Sequence, residues 1–159
     1  MDDRRAIEDV LARFIYGLDR LGWALVETAL TEDFRYGFKE ADAARWVWFE
    51  GRAEMVRRIR PIVEAARTFQ HICPNPLIEL AGDAATLLVN HMAYEWQDGP
   101  ADRPPQMRML AGRWEGHLRR TSEEGWRFTG VVFDPTFLFP WADDLRAFPP
   151  RGPANGVAW

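Results

Sequence analysis

The sequence predicts an α+β domain in which N-terminal helices pack against one curved antiparallel sheet. Two observations carry this. Apolar residues in the first part of the chain recur at helical spacing, whereas segments after Thr68 alternate at the period of a strand. Clusters of Gly, Pro and Asp then punctuate the second half as turns between long strands.

The elements follow in order. Asp2 and Asp3 precede an amphipathic helix whose stripe is Ile7, Val10, Leu11, Phe14, Leu18 and Leu21. Gly22 weakens it, a short second helix runs from Trp23 to Leu30, and Thr31 and Asp33 mark the exit. Residues 33–38 and 45–50 read as strands, the second rich in β-forming aromatics. Gly51 introduces a helix with Met55, Val56, Ile59, Ile62 and Val63 on one side, which Pro61 is expected to kink or split. Residues 68–73 alternate, 77–81 are apolar, and Gly82 and Asp83 turn the chain into a long strand over 85–96. Residues 98–106 have the composition of a loop, and 107–120 and 125–133 form a hairpin around Thr121–Glu124. Pro74, Asn75 and Pro76 shape a bend. Residues 1–139 are expected to form the domain, and 140–159 a Pro/Gly-rich tail that wraps the surface or meets a neighbouring subunit.

Composition narrows the function. A chain of 159 residues can bury a real core. Its net charge of −4 argues against a nucleic-acid surface. Cys73 is the only cysteine, so neither an intrachain disulfide nor a cysteine zinc site can form. That fits a reducing cytoplasm. The opening MDDRRAIEDV lacks a signal-peptide core, and no apolar run approaches the roughly 20 residues that span a bilayer. No dinucleotide fingerprint, P-loop or nucleophile elbow is present. Eight Trp, ten Phe and three Tyr either fill the core or line a cavity for a flat apolar ligand.

Several side chains are chemically suggestive. His71 shares its parity with Phe69 and Cys73 and should face inward, as a base or as a core histidine bonded to a carbonyl. Asp19 lies at the edge of the first helix's apolar stripe, either turned toward the core or solvated and paired with Arg13 or Arg20. Tyr16, one turn earlier, can donate to Asp19 or to a ligand, or lie on the surface. Arg120 is a candidate anchor for an anionic group or a solvated hairpin residue. His71, His91 and His117 lack close metal-ligand spacing, so no metal site is expected. Glu95 and Glu115, on strands, either reach the cavity or, the favoured reading, face outward in ion pairs, and Trp46, Trp48, Trp96 and Trp114 are candidate pocket walls.

Four segments in order, AIEDVLARFIYGLDRLGW, GRAEMVRRI, FQHICPNPLIELAGDAA and GRWEGHLRRTSEEGWRFTGV, resemble the SnoaL-like branch of the nuclear transport factor 2-like superfamily, over about residues 4–135. The resemblance implies a cone-shaped sheet closed on one side by helices around a deep pocket, a cystatin-like α+β barrel. Within the branch the pattern is similar to scytalone dehydratase, bile-acid 7α-dehydratase and hexachlorocyclohexane dehydrochlorinase, eliminases that need no cofactor. It places their helix aspartate at Asp19 and their strand histidine at His71. It implies that Phe14, Leu18 and Phe38 stand at or near tyrosine positions of those enzymes, so that Tyr16 would have to supply the phenol. Arg120 is the best match to the dehydrochlorinase arginine, with Arg119 one residue away.

The expectation is therefore a cofactor-free lyase or isomerase, dehydratase-like, acting on a small, largely apolar cyclic substrate. His71 would be the base and Asp19 its orienting partner, with Tyr16 and Arg120 assisting. Phe14, Leu18, Phe38, Trp48, Trp96 and Trp114 would bind substrate. The alternatives are a non-catalytic ligand-binding or accessory module of the same fold, and a polyketide-type cyclase or epoxide hydrolase. No nucleic acid, membrane or cofactor partner is expected. A homodimer or homotrimer through the sheet's outer face is.

Overall fold

The computed structural model describes residues 2–39, 45–98 and 106–142, with side chains described up to Thr136. The tail from residue 143 and most of the expected loop, 99–105, lie outside the described residues. Two helices, α1 (Asp3–Asp19) and α2 (Trp23–Ala29), precede β1 (Leu30–Lys39) and β2 (Trp46–Glu50), and α3 (Arg52–Ala65) follows them. Then come β3 (Thr68–Ile72), β4 (Leu77–Ala81), β5 (Ala84–Gln97), β6 (Gln106–Thr121) and β7 (Gly125–Ala142). No helix among the described residues is long and apolar enough to cross a membrane.

The strands form one sheet in the order β2-β1-β7-β6-β5-β3, with β4 also pairing β5. The sheet is open, ending at β2 on one side and β3 on the other. Irregularities in the β6–β7 register, at Ala111/Gly112 and His117/Leu118 among others, are the bulges by which a long ladder bends. One feature departs from the expected antiparallel sheet: β1 runs parallel to β7, Tyr36 opposite Val131. The chain between these two strands, α3 and five further strands, gives the length that a parallel return requires. β7 also continues beyond residue 133, through Pro135, to Ala142.

Asp2 caps α1 by accepting the Arg4 backbone N–H, and Asp3 stands in the first turn, where an acid suits the helix dipole. Ile7, Val10, Leu11, Phe14 and Leu18 are buried as the stripe predicts. Leu21 is not, because the helix ends before it and its φ is 58°. Gly17 lets α2 lie against α1: a Cβ there would sit 2.6 Å from a Val26 methyl. In α3, Met55 and Val63 are buried while Ile62 faces out. Pro61 does not split this helix, which continues as one element to Ala65. The core lies between these helices and the inner faces of β1, β5, β6 and β7, around Phe14, Phe34, Trp114 and Phe128.

Candidate functional site

α1 ends in a pair of crossed backbone bonds, Gly22 N–H to the Gly17 carbonyl at 2.8 Å and Leu21 N–H to the Leu18 carbonyl at 3.3 Å. This stop leaves Asp19 as the last helical residue. A carboxylate there opposes the helix dipole, so its partners must come from elsewhere. They come from β3, 52 residues away: Asp19 Oδ1 lies 2.6 Å from His71 Nδ1. The His71 backbone N–H donates to the same carboxylate at 3.1 and 3.2 Å. Both side chains are largely buried, 6% exposed for His71 and 12% for Asp19. An ionised carboxylate only accepts, so this contact holds the imidazole proton on Nδ1 and leaves Nε2 as the basic nitrogen.

His71 lines a cavity of about 150 Å³ walled by two helices, α1 and α3, and four strands, β1, β3, β5 and β6. Phe14 and Leu18 come from α1, Met55, Ile59 and Val63 from α3, and Tyr36 from β1. Trp114 of β6 is buried, with ring centroids 5.7 Å from His71 and 5.6 Å from Phe14. Behind it His91 stacks on Trp114 at 4.3 Å and lies 5.2 Å from the His71 ring. Both His91 ring nitrogens and the Trp114 indole N–H are buried without a hydrogen-bond partner among the described residues. Burial, then the neighbouring His71, pull the His91 pKa down to about 3, so this ring is neutral at pH 7. Burial also pushes the Tyr36 phenol up, which keeps it a donor.

A second polar group enters the same cavity. Glu95 of β5 is fully buried, and Arg108 stands directly opposite it on β6. Arg108 Nε donates to Glu95 Oε2 at 2.5 Å, and Arg108 Nη2 reaches the same oxygen. Gln97 Nε2 donates to the other oxygen at 2.6 Å. Glu95 thus makes an ion pair as expected, but inward rather than outward. Its parity with Ala93, which faces His71 across the ladder, turns it to the inner side. Glu115 does face solvent, 3.1 Å from His117. His117 therefore points away from the buried His71 and His91.

Of the residues singled out from sequence, Asp19, His71, Phe14, Leu18 and Trp114 come together here. Tyr16 does not: it is 51% exposed and lines a surface groove with Arg13, Leu25 and Trp126. Arg120 is a hairpin residue, held by Asp3 and Asp83 at 3.0 Å each, with its guanidinium over the Trp126 ring. Trp48 lies outside, covering Gly37, where a Cβ would meet its ring at 2.6 Å, and stacks on Trp46. Phe38 packs behind Tyr36 against Phe49 rather than lining the cavity. Trp96 is buried but belongs to the other parity of β5 from Glu95, away from the cavity wall.

Tyr36 and Arg108 are polar residues whose place in the cavity the sequence did not suggest, and Glu95 takes the less favoured of its two alternatives. For Tyr36 a signal existed: Phe34, Tyr36 and Phe38 share one parity, opposite Asp33, Arg35 and Gly37. For Arg108 none existed, since its meeting with Glu95 depends on the β5–β6 register.

A family model for a SnoaL-like domain matches residues 1–132. No sequence among curated proteins matches the chain. Solved structures of the same fold include a scytalone dehydratase-like protein from Novosphingobium aromaticivorans, 17% identical, with a TM-score of 0.72 over 98% of this chain and 95% of that one. Hexachlorocyclohexane dehydrochlorinase LinA-type3 from Novosphingobium barchaimii is 14% identical, with a TM-score of 0.72 over 92% and 94%. A nuclear transport factor 2-like superfamily protein from Salmonella enterica is 12% identical, with a TM-score of 0.67 over 98% and 97%. At these identities the likeness is one of fold.

Proposed function

Because the chain belongs to the SnoaL-like domain family, we propose that it is a cofactor-independent lyase or isomerase, dehydratase-like, acting on a small apolar ring. The observation that carries this reading is the 2.6 Å contact between Asp19 and His71 Nδ1 in the wall of an aromatic cavity. His71 Nε2 removes a proton from a carbon next to a carbonyl. The electron pair forms the new double bond as the β-hydroxyl leaves, and the imidazolium returns the proton so that water departs. Asp19 fixes the tautomer and balances the imidazolium charge. Tyr36, rather than Tyr16, is the phenol that polarises the carbonyl. A cavity of about 150 Å³ admits one six-membered ring.

The test is α-proton exchange of cyclohexanone with solvent deuterium, and dehydration of 3-hydroxycyclohexanone, followed by NMR. His71→Gln is expected to lower both by about 10²–10⁴-fold, and Asp19→Asn to fall in the same range because it no longer holds the proton on Nδ1. Unchanged exchange in His71→Gln would sink the proposal. Ring binding that survives His71→Gln, with no turnover by the wild type, would make the chain a ligand-binding or accessory module instead.

We also propose that the chain self-associates through the outer sheet face, where Trp46, Leu77 and Leu88 lie exposed around one depression.

A further inference from the structure

The Glu95–Arg108 pair, its carboxylate fully buried and its Arg side chain 29% exposed, has no part in the proton transfer described above, yet it forms part of the same cavity wall. As packing it is a poor choice. An ion pair loses hydration when buried, and an apolar pair of the same volume would serve as well or better. We propose that this pair is a substrate-orienting pole, which holds a neutral oxygen function of a one-ring substrate and so decides which C–H bond faces His71. The inference rests on the reading of His71 as the base only for that last consequence.

Three observations support it. Glu95 lies opposite Phe69, and His71 opposite Ala93. The two are therefore diagonal neighbours on the inner face, about 7–8 Å apart at Cα, within the span of one substituted ring. The pole has opposite charges in contact, so it offers no net attraction to an anion, and a substrate carboxylate would meet the charge of Glu95. Its hydrogen-bonding capacity suits a neutral oxygen. The Arg108 guanidinium is a donor at the cavity wall, and Glu95 Oε1 accepts from Gln97 and keeps a second lone pair for a hydroxyl.

The test is calorimetric titration of the full chain at neutral pH with benzene, phenol and benzoate. Phenol is expected to bind about tenfold more tightly than benzene, the effect of one hydrogen bond to a charged group, and benzoate no more tightly than benzene. The double variant Glu95→Leu/Arg108→Met, which removes both charges together, is expected to keep benzene binding and lose the preference for phenol. In the wild type, bound phenol is expected to show NOEs to the Arg108 side chain, a readout that does not depend on the variant's folding. A preference that persists in the double variant, benzoate binding tighter than phenol, NOEs confined to the Trp114 end, or no binding of any of the three would each overturn the proposal. The measurement is of binding. Phenol preference in a wild type that turns over none of the test ketones would remove the elimination reading and leave this one standing.

Discussion

His91 is neutral because its ring is buried between Trp114, Phe133 and His71, with no acceptor among the described residues to share a proton. Its pKa falls from an ordinary 6.5 to about 3, and the consequence has a sign. Between these values the unfolded chain binds a proton that the folded one refuses, so stability is full above about pH 6.5 and declines as pH drops toward 3. The slope from this group is at most about 1.4 kcal/mol per pH unit. His91→Phe is expected to flatten that limb and cost little at neutral pH, since it also removes two unsatisfied buried nitrogens. Urea melts from pH 7 downward check this, and an unchanged slope in His91→Phe would rule out His91 as the source. Residues of this kind divide by what made them readable. Alternation alone points His71 inward, and Asp19 needed the family pattern because its angle on the helix is at the stripe's edge. Arg108 was hidden, and the inward alternative for Glu95 was disfavoured, because charge normally argues for solvent, and only their mutual contact reverses that.

Among the elements, α3 carries an avoidable cost. Pro61 is exposed in its interior, where it removes a backbone donor and crowds the preceding turn. Pro61→Ala is expected to raise stability by about 1–3 kcal/mol, the helix gain less a smaller unfolded-state term. Chemical denaturation measures it, and no gain would mean that the helix already accommodates the ring without strain. The sequence suggested a kink or a split here because proline is read locally, whereas Met55 and Val63, one before it and one after, are both buried in a single uninterrupted helix. The bounds of β3, β4 and β5 were legible for the opposite reason, since they are set by turn residues. Asn75, between two prolines, has a φ of 50°, and Gly82 a φ of 64°. The extension of β7 to Ala142 was not, because its last pairs with β6 are fixed by a partner strand rather than by local preference.

For the molecule as a whole, helices first and strands last was enough to give the α+β class, while strand order was not. The parallel return of β1 beside β7 joins residues 36 and 131, and no local pattern specifies so distant a neighbour. The outer face of the sheet poses a question of the same scale. Leu77 and Leu88 are cross-strand partners, both exposed, beside Trp46 in one depression. Sedimentation of the wild type is expected to give a dimer or trimer, and Leu77→Glu/Leu88→Glu to shift it toward monomer. A monomeric wild type, or an oligomer indifferent to both charges, would place the contact elsewhere.

The two bonds from the His71 backbone N–H to Asp19 have a meaning apart from chemistry. β3 is the terminal strand of an open sheet, and this N–H points away from its one partner, β5. A bare donor there would be a template on which a foreign strand could add. The helix carboxylate occupies it, so the same contact closes off a backbone donor at the margin of the sheet.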